Sequence, residues 1–173
     1  MRLISRAAVA AIAAYLVCAA AAPAAPRACS AAGASPGSAA KSTLRSALRC
    51  VVNAERARRG LVPLRAHAGL DRAAAAHARD MVGRGYFAHE RAGSTFARRL
   101  RAAGWDGGSA AEAIARGCGA QGTPRATLRA WLGSPPHRAI VLGPYRRAGI
   151  GMALGAPGAG CASAATWVLD AGG

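Results

Sequence analysis

The strongest constraint on the fold is a change in kind after Leu142. Up to that point the apolar residues recur at helical spacing; beyond it the tail reads as two strands. From Ser42 onward Leu44, Leu48, Val51 and Val52 mark one helical face, and Gly60 supplies a stop, which predicts a helix over 43–59. A second helix is predicted over 69–83. Its Leu70, Ala74, His77 and Met81 fall on one face, so His77 reads as a packed structural histidine and His67, just before, as a loop residue without an assigned role. "YFAHERAG" reads as a loop, Thr95 to Ala103 as a short helix closed by Gly104, and "WDGGSAAEAIARGCGAQG" as a Gly-rich link. Thr123 and Pro124 open a helix that carries Leu128, Trp131 and Leu132 on one side, and Ser134 with Pro135 opens another. The tail then offers two strands, "RAGIGMAL" and "SAATWVLD", joined by the turn-rich "GAPGAG". Helices in front and a strand pair behind predict an α+β domain in which helices cover a small antiparallel sheet.

The N-terminus has a different character. Arg2 and Arg6 precede an apolar run from Ala7 to about Ala22, followed by Ala22-Pro23-Ala24, so residues 1–24 read as a signal peptide. The run is short for a membrane span, and no span is expected after cleavage. Residues 25–41, "APRACSAAGASPGSAAK", read as a flexible linker, and 42–173 as the domain. Export implies an extracellular or cell-envelope location and an oxidising setting. The four cysteines left after cleavage are then expected to form two disulfides, Cys118–Cys161 between Gly-rich loops and Cys29–Cys50 by remainder.

Removing Arg2 and Arg6 leaves 21 basic residues against 7 acidic ones, a net charge near +14. Such a surface attracts anionic partners, acidic surface polymers among them. The arginines are dispersed and follow no nucleic-acid-binding motif, so no specific nucleic-acid partner is expected.

Three residues carry candidate chemistry: His89 in "YFAHE", Glu112 in "SAAEAIARG" and His137 in "SPPHR". His137 falls in the first turn of its helix, where unpaired N–H groups and the helix dipole disfavour a second ring proton. A neutral imidazole there is a metal ligand or a proton acceptor, and the alternative is a capping-region histidine bonded to backbone. The three are too far apart in sequence for a local motif, so only the fold can unite them.

The segments "VVNAERARRGLVPL", "LDRAAAAHARDMVGRGYFAHE", "STFARRLRAAGW", "AEAIARG", "ATLRAWLGSPPHRAIVL", "RRAGIGMAL" and "ATWVLDAGG" together resemble, in order, the bacterial branch of the CAP superfamily (cysteine-rich secretory, antigen 5 and pathogenesis-related-1 proteins), often called SCP-like. The resemblance covers about residues 44–173, and its most telling block is W-x-x-S-P-x-H-R. It implies a three-layer α-β-α sandwich and a cleft lined by histidines and glutamates that in some members holds a divalent metal. Carried over by motif, the cleft residues are His89, Glu112 and His137, with zinc or another divalent metal as the implied cofactor on those three ligands and an open fourth position. The chain departs from the family in reading Ala111-Glu112-Ala113 for Gly-Glu-Asn, in having Ile140 for an Asn, and in having Ser134 where animal and plant members carry a second cleft Glu.

The favoured function is a secreted, monomeric binding module for a small molecule, lipid or cell-wall fragment, and not a classical enzyme. One alternative is a metal-assisted hydrolase with Glu112 as general base. The other is a cationic adhesion protein whose binding collapses with salt.

Overall fold

The computed structural model describes residues 29–173; the signal peptide expected over 1–24 and the start of the linker lie outside the described residues. Five helices form where the periodicity places them. α1 (Lys41–Arg58) buries Leu44, Leu48, Val51 and Val52, and α2 (Ala68–Arg84) buries Leu70, Ala74, His77 and Met81. His67, which the sequence leaves without a role, caps α2: its Nδ1 accepts from Leu70 N–H at 3.4 Å, and its ring meets Trp105 edge to face at 4.9 Å. Gly85 ends α2 at φ 70°, a left-handed position that favours glycine. α3 (Phe96–Ala102) and α4 (Pro124–Gly133) are capped by Thr95 and Thr123 through their hydroxyls. α5 (Pro135–Val141) has Ser134 at its N-cap position, but the expected hydroxyl cap is not made. Ser134 works through its backbone instead, its N–H donating to Trp131 O and its carbonyl accepting from Arg138 N–H.

The sheet has four strands in the order β1-β3-β4-β2: β1 (Arg65–Ala66), β2 (Ala110–Cys118), β3 (Arg147–Leu154) and β4 (Ala164–Gly172). β4 is antiparallel to β2 and β3, as the tail pattern implies. Two expectations need correction. The Gly-rich link after Trp105 contains β2, an Ala-rich edge strand that pairs with β4 along its whole length. The sheet is also not purely antiparallel, because β1 runs parallel to β3.

α2 and α3 lie on one side of the sheet, and α1, α4 and α5 on the other, giving three layers. Strand alternation feeds both cores. Ile150, Met152, Trp167 and Leu169 pack with α1, α4 and α5, whereas Ile114, Ala153 and Val168 pack with α2. α2 sits very close to β3: a Cβ on Gly149 would stand 2.0 Å from the Leu70 carbonyl carbon, and one on Gly151 2.1 Å from Ala74 O. β3 continues past its short partner β1, and there side chains occupy its backbone. Ile150 N–H donates to Asp71 Oδ1 at 2.8 Å, and Ile150 O accepts from Arg45 Nε.

Both expected disulfides are present, Cys29–Cys50 and Cys118–Cys161. The first explains a further difference from the sequence reading. From Cys29 onward the presumed flexible linker is tied to the domain: Ala32 is buried, Ala32 O accepts from Arg125 N–H, and Pro36 O accepts from Ser163 Oγ. Among the described residues no helix is long and apolar enough to cross a membrane.

Candidate functional site

The site forms at the β2 edge of the sheet. Glu112 lies on the α2-facing side of β2, opposite Asp170 of β4. Its side chain is 3% exposed and holds three donors. His77 Nδ1 donates to Oε2 at 2.7 Å, Arg99 Nη2 to the same oxygen at 2.9 Å, and His89 Nδ1 to Oε1 at 2.9 Å. Three elements thus converge on one carboxylate: α2 through His77, α3 through Arg99, and the loop after α2 through His89. A buried carboxylate needs such partners to remain ionised.

His77 is packed, as its place on the apolar face of α2 implies, but it is also part of the site. It is fully buried, and its Nε2 lies 3.1 Å from Ala88 O. Both ring nitrogens thus face oxygen atoms, Glu112 Oε2 and Ala88 O. The Ala88 contact in turn fixes the loop that presents His89. Arg99 is the second residue that the motif reading leaves out; its Nη1 donates to Ser94 O, and its side chain is 9% exposed.

His89 and His137 are the accessible part. The His89 side chain is 49% exposed, His137 is half-buried, and their ring centroids are 6.4 Å apart. The fold therefore brings all three sequence candidates together, with His89 on Glu112 and His137 facing His89 from α5.

The electrostatics set the two histidines apart. Burial pushes the Glu112 carboxyl up, but hydrogen bonds from His77 and His89 and the charges of His77 and Arg99 overcome this and hold it down to about 2. The hydrogen bond to Glu112 raises His89 against the opposing effect of burial. His137 is lowered, by burial first and by the charge of His89 second.

A divalent ion can be tested against this geometry. Two imidazoles that share one zinc have ring centroids about 5–6 Å apart, close to the separation of His89 and His137. Glu112 does not fit as a third ligand. Both its oxygens hold donors, and among the described residues no three His, Cys, Asp or Glu side chains are grouped to hold an ion. It fits instead as the carboxylate that orients a ligating histidine, since its bond to His89 Nδ1 leaves Nε2 free.

Asp170 is the third residue the motif reading leaves out. It is fully buried, and its two oxygens have no hydrogen-bond partner among the described residues. Glu112 is near enough to repel its charge without making a bond of good geometry. Burial and then that repulsion raise the Asp170 carboxyl well above the usual range. The folded state therefore keeps a proton that the unfolded chain releases as pH rises from about 4. Stability contributed at low pH is lost as pH climbs through that window. Asp170→Asn is expected to remove this slope, so urea midpoints measured between pH 4 and 7 should fall less steeply with pH than in wild type; parallel curves would show that Asp170 ionises normally.

The model of the cysteine-rich secretory protein family matches residues 50–170. The Bacillus subtilis protein YkwD, itself uncharacterized, is 36% identical over 104 residues, which are 58% of this chain and 39% of that protein. The chain thus spans well under half the length of that relative. An outer surface protein of Borrelia burgdorferi superposes with a TM-score of 0.62 at 18% identity, covering 72% of this chain and 88% of its own. An extracellular protein of Bacillus anthracis containing an SCP domain superposes with a TM-score of 0.58 at 21% identity, covering 76% and 43%.

Proposed function

Because the chain belongs to the cysteine-rich secretory protein (CAP) family, we propose that it is an extracytoplasmic binding module whose cleft engages a lipid or cell-wall fragment at His89 and His137, with a divalent ion between the two imidazoles. The observation that carries this reading is the buried carboxylate of Glu112 with its three donors, which holds one exposed imidazole rigidly before a second. Core packing alone does not call for an exposed histidine fixed in this way. When bound, the ion would supply a Lewis-acidic contact for an oxygen of the ligand. His89 and His137 would hold it, Glu112 would orient His89, and His77 and Arg99 would keep Glu112 in place. Placement outside the cytoplasm is supported by the leader-like residues 1–24, by the two disulfides and by structural neighbours described as extracellular and outer-surface proteins.

The hydrolase reading loses its general base, because both oxygens of Glu112 are occupied. The role would pass to His137, whose lowered pKa beside the raised His89 is the separation an acid–base pair needs.

Calorimetric zinc titration tests the binding reading. Wild type should bind at micromolar concentrations, and His89→Ala and His137→Ala should each abolish binding. Glu112→Gln should weaken it about 10- to 100-fold, as expected for loss of an orienting carboxylate. Affinity should fall with pH as protons compete for the imidazoles. Absence of wild-type binding, or wild-type affinity in His137→Ala, would remove the metal from the proposal.

A further inference from the structure

A concavity of about 500 Å³, away from His89 and His137, lies along the outer face of α2, walled by α3 on one side and by Arg45 of α1 on the other. Its floor is made of alanines, Ala73, Ala75 and Ala76 from α2 and Ala102 and Ala103 from α3, and the trough exists because these positions carry nothing beyond Cβ. Four arginines line it, Arg45, Arg72, Arg79 and Arg99, against one acid, Asp71.

That acid is already engaged. Asp71 Oδ1 accepts from Arg49 at 2.8 Å, Arg45 at 3.1 Å and the Ile150 N–H at 2.8 Å. Asp80, next along α2, is held by Arg84, Arg91 and Tyr86. Neither carboxylate neutralises Arg72 or Arg79. Arg72 spends one N–H on Ala103 O, and Arg79 makes no hydrogen bond or ion pair among the described residues. The two stand seven residues apart on one helix, about 10 Å along its axis, and both are exposed. Arg99 also contributes to the wall, its side chain nine-tenths buried and its two Nη groups held by Ser94 O and Glu112.

We infer that this trough is a binding site for a small ligand bearing oxyanion groups, phosphate or carboxylate, with Arg72 and Arg79 as its clamps and the alanine floor as its seat. Guanidinium forks match the paired oxygens of both groups. The site is separate from the His89–His137 cleft and stands or falls independently of it. Arg99 nevertheless borders both, with Nη2 on Glu112 and its side chain in the trough wall.

The protein's high overall charge makes diffuse attraction the competing account, and the experiment must separate the two. Binding of inorganic pyrophosphate and of succinate is measured by calorimetry at fixed ionic strength on wild type and three variants. Arg72→Ala/Arg79→Ala removes the clamps. Arg146→Ala/Arg147→Ala removes the same charge from a different surface hollow. Ala76→Leu fills the trough without changing charge. The expected result is saturable binding of at least one probe, lost about tenfold or more in the clamp variant and in Ala76→Leu, and changed less than about twofold in the Arg146/Arg147 variant. The preferred probe tells whether phosphate or carboxylate is the group recognised. Equal losses in the two charge variants, retention of binding in Ala76→Leu, or no saturable binding of either probe at millimolar concentration would overturn the inference.

Discussion

Glu112→Ala is expected to destabilise the folded protein by about 3–5 kcal/mol, the range for removing one partner from a buried ionic cluster. Arg99 would be left nine-tenths buried without the carboxylate that accepts from its Nη2, and His77 would lose the acceptor for its Nδ1. Urea denaturation at pH 7 would measure the loss, and a change below about 1 kcal/mol, the size of an exposed ion pair, would mean that the carboxylate does not anchor the site. The pH profile gives an independent check. With the folded carboxyl held to about 2 and the unfolded value near 4.5, the contribution of Glu112 is present in full above the unfolded value and is lost as pH falls toward 2. Wild type should therefore lose stability in acid more steeply than Glu112→Ala, and the two curves should converge at the lowest pH.

Gly151→Ala should be nearly as damaging for a different reason. The added methyl would stand 2.1 Å from Ala74 O and 2.2 Å from its carbonyl carbon. Both belong to helix backbone, which cannot step aside as a side chain can. α2 must lift from β3, at a cost of about 3 kcal/mol, the upper part of the range for overpacking a tight contact. His77 rides on α2, so the same change should also disturb Glu112. Gly83→Ala, on the same helix with nothing within 4 Å of the new Cβ, is the matched control and should stabilise by up to about 1 kcal/mol. Similar thermal midpoints for the two variants would contradict the close α2–β3 approach.

The sequence shows much of this architecture and hides some of it for identifiable reasons. α1 and α2 are legible because their apolar stripes are regular and glycines stop both. β3 is legible because Ile150 and Met152 alternate with small residues, and β4 because Trp167, Val168 and Leu169 make a short apolar run after a turn-rich segment. β2 is not: of residues 110–118 only Ile114 has strong strand preference, and the segment becomes a strand by pairing with β4. In the site, His89, Glu112 and His137 come from family motifs. His77, Arg99 and Asp170 come only from the fold. A histidine on a buried helical face needs a polar partner, and that rule could have raised His77 from packing residue to site residue. No comparable signal marks Arg99 in an arginine-rich chain. Asp170, within "TWVLD" at the end of an apolar strand, was the acid most at odds with its neighbours, and the conflict was readable as a buried carboxyl.

The open side of β3 has a consequence for how molecules of this protein meet one another. A strand edge with free N–H and C=O groups invites a strand from a second molecule. Here β1 covers only Arg147 and Ala148 of that edge, and at Ile150 the two backbone groups are already taken by Asp71 and Arg45. Those side chains stand where a neighbouring backbone would dock, and they bring charge to a place a hydrophobic strand would otherwise seek. A chain with few acids thus commits one of them to keeping its sheet from growing across the boundary between molecules, and a defect there would show itself in assembly before it showed itself in folding.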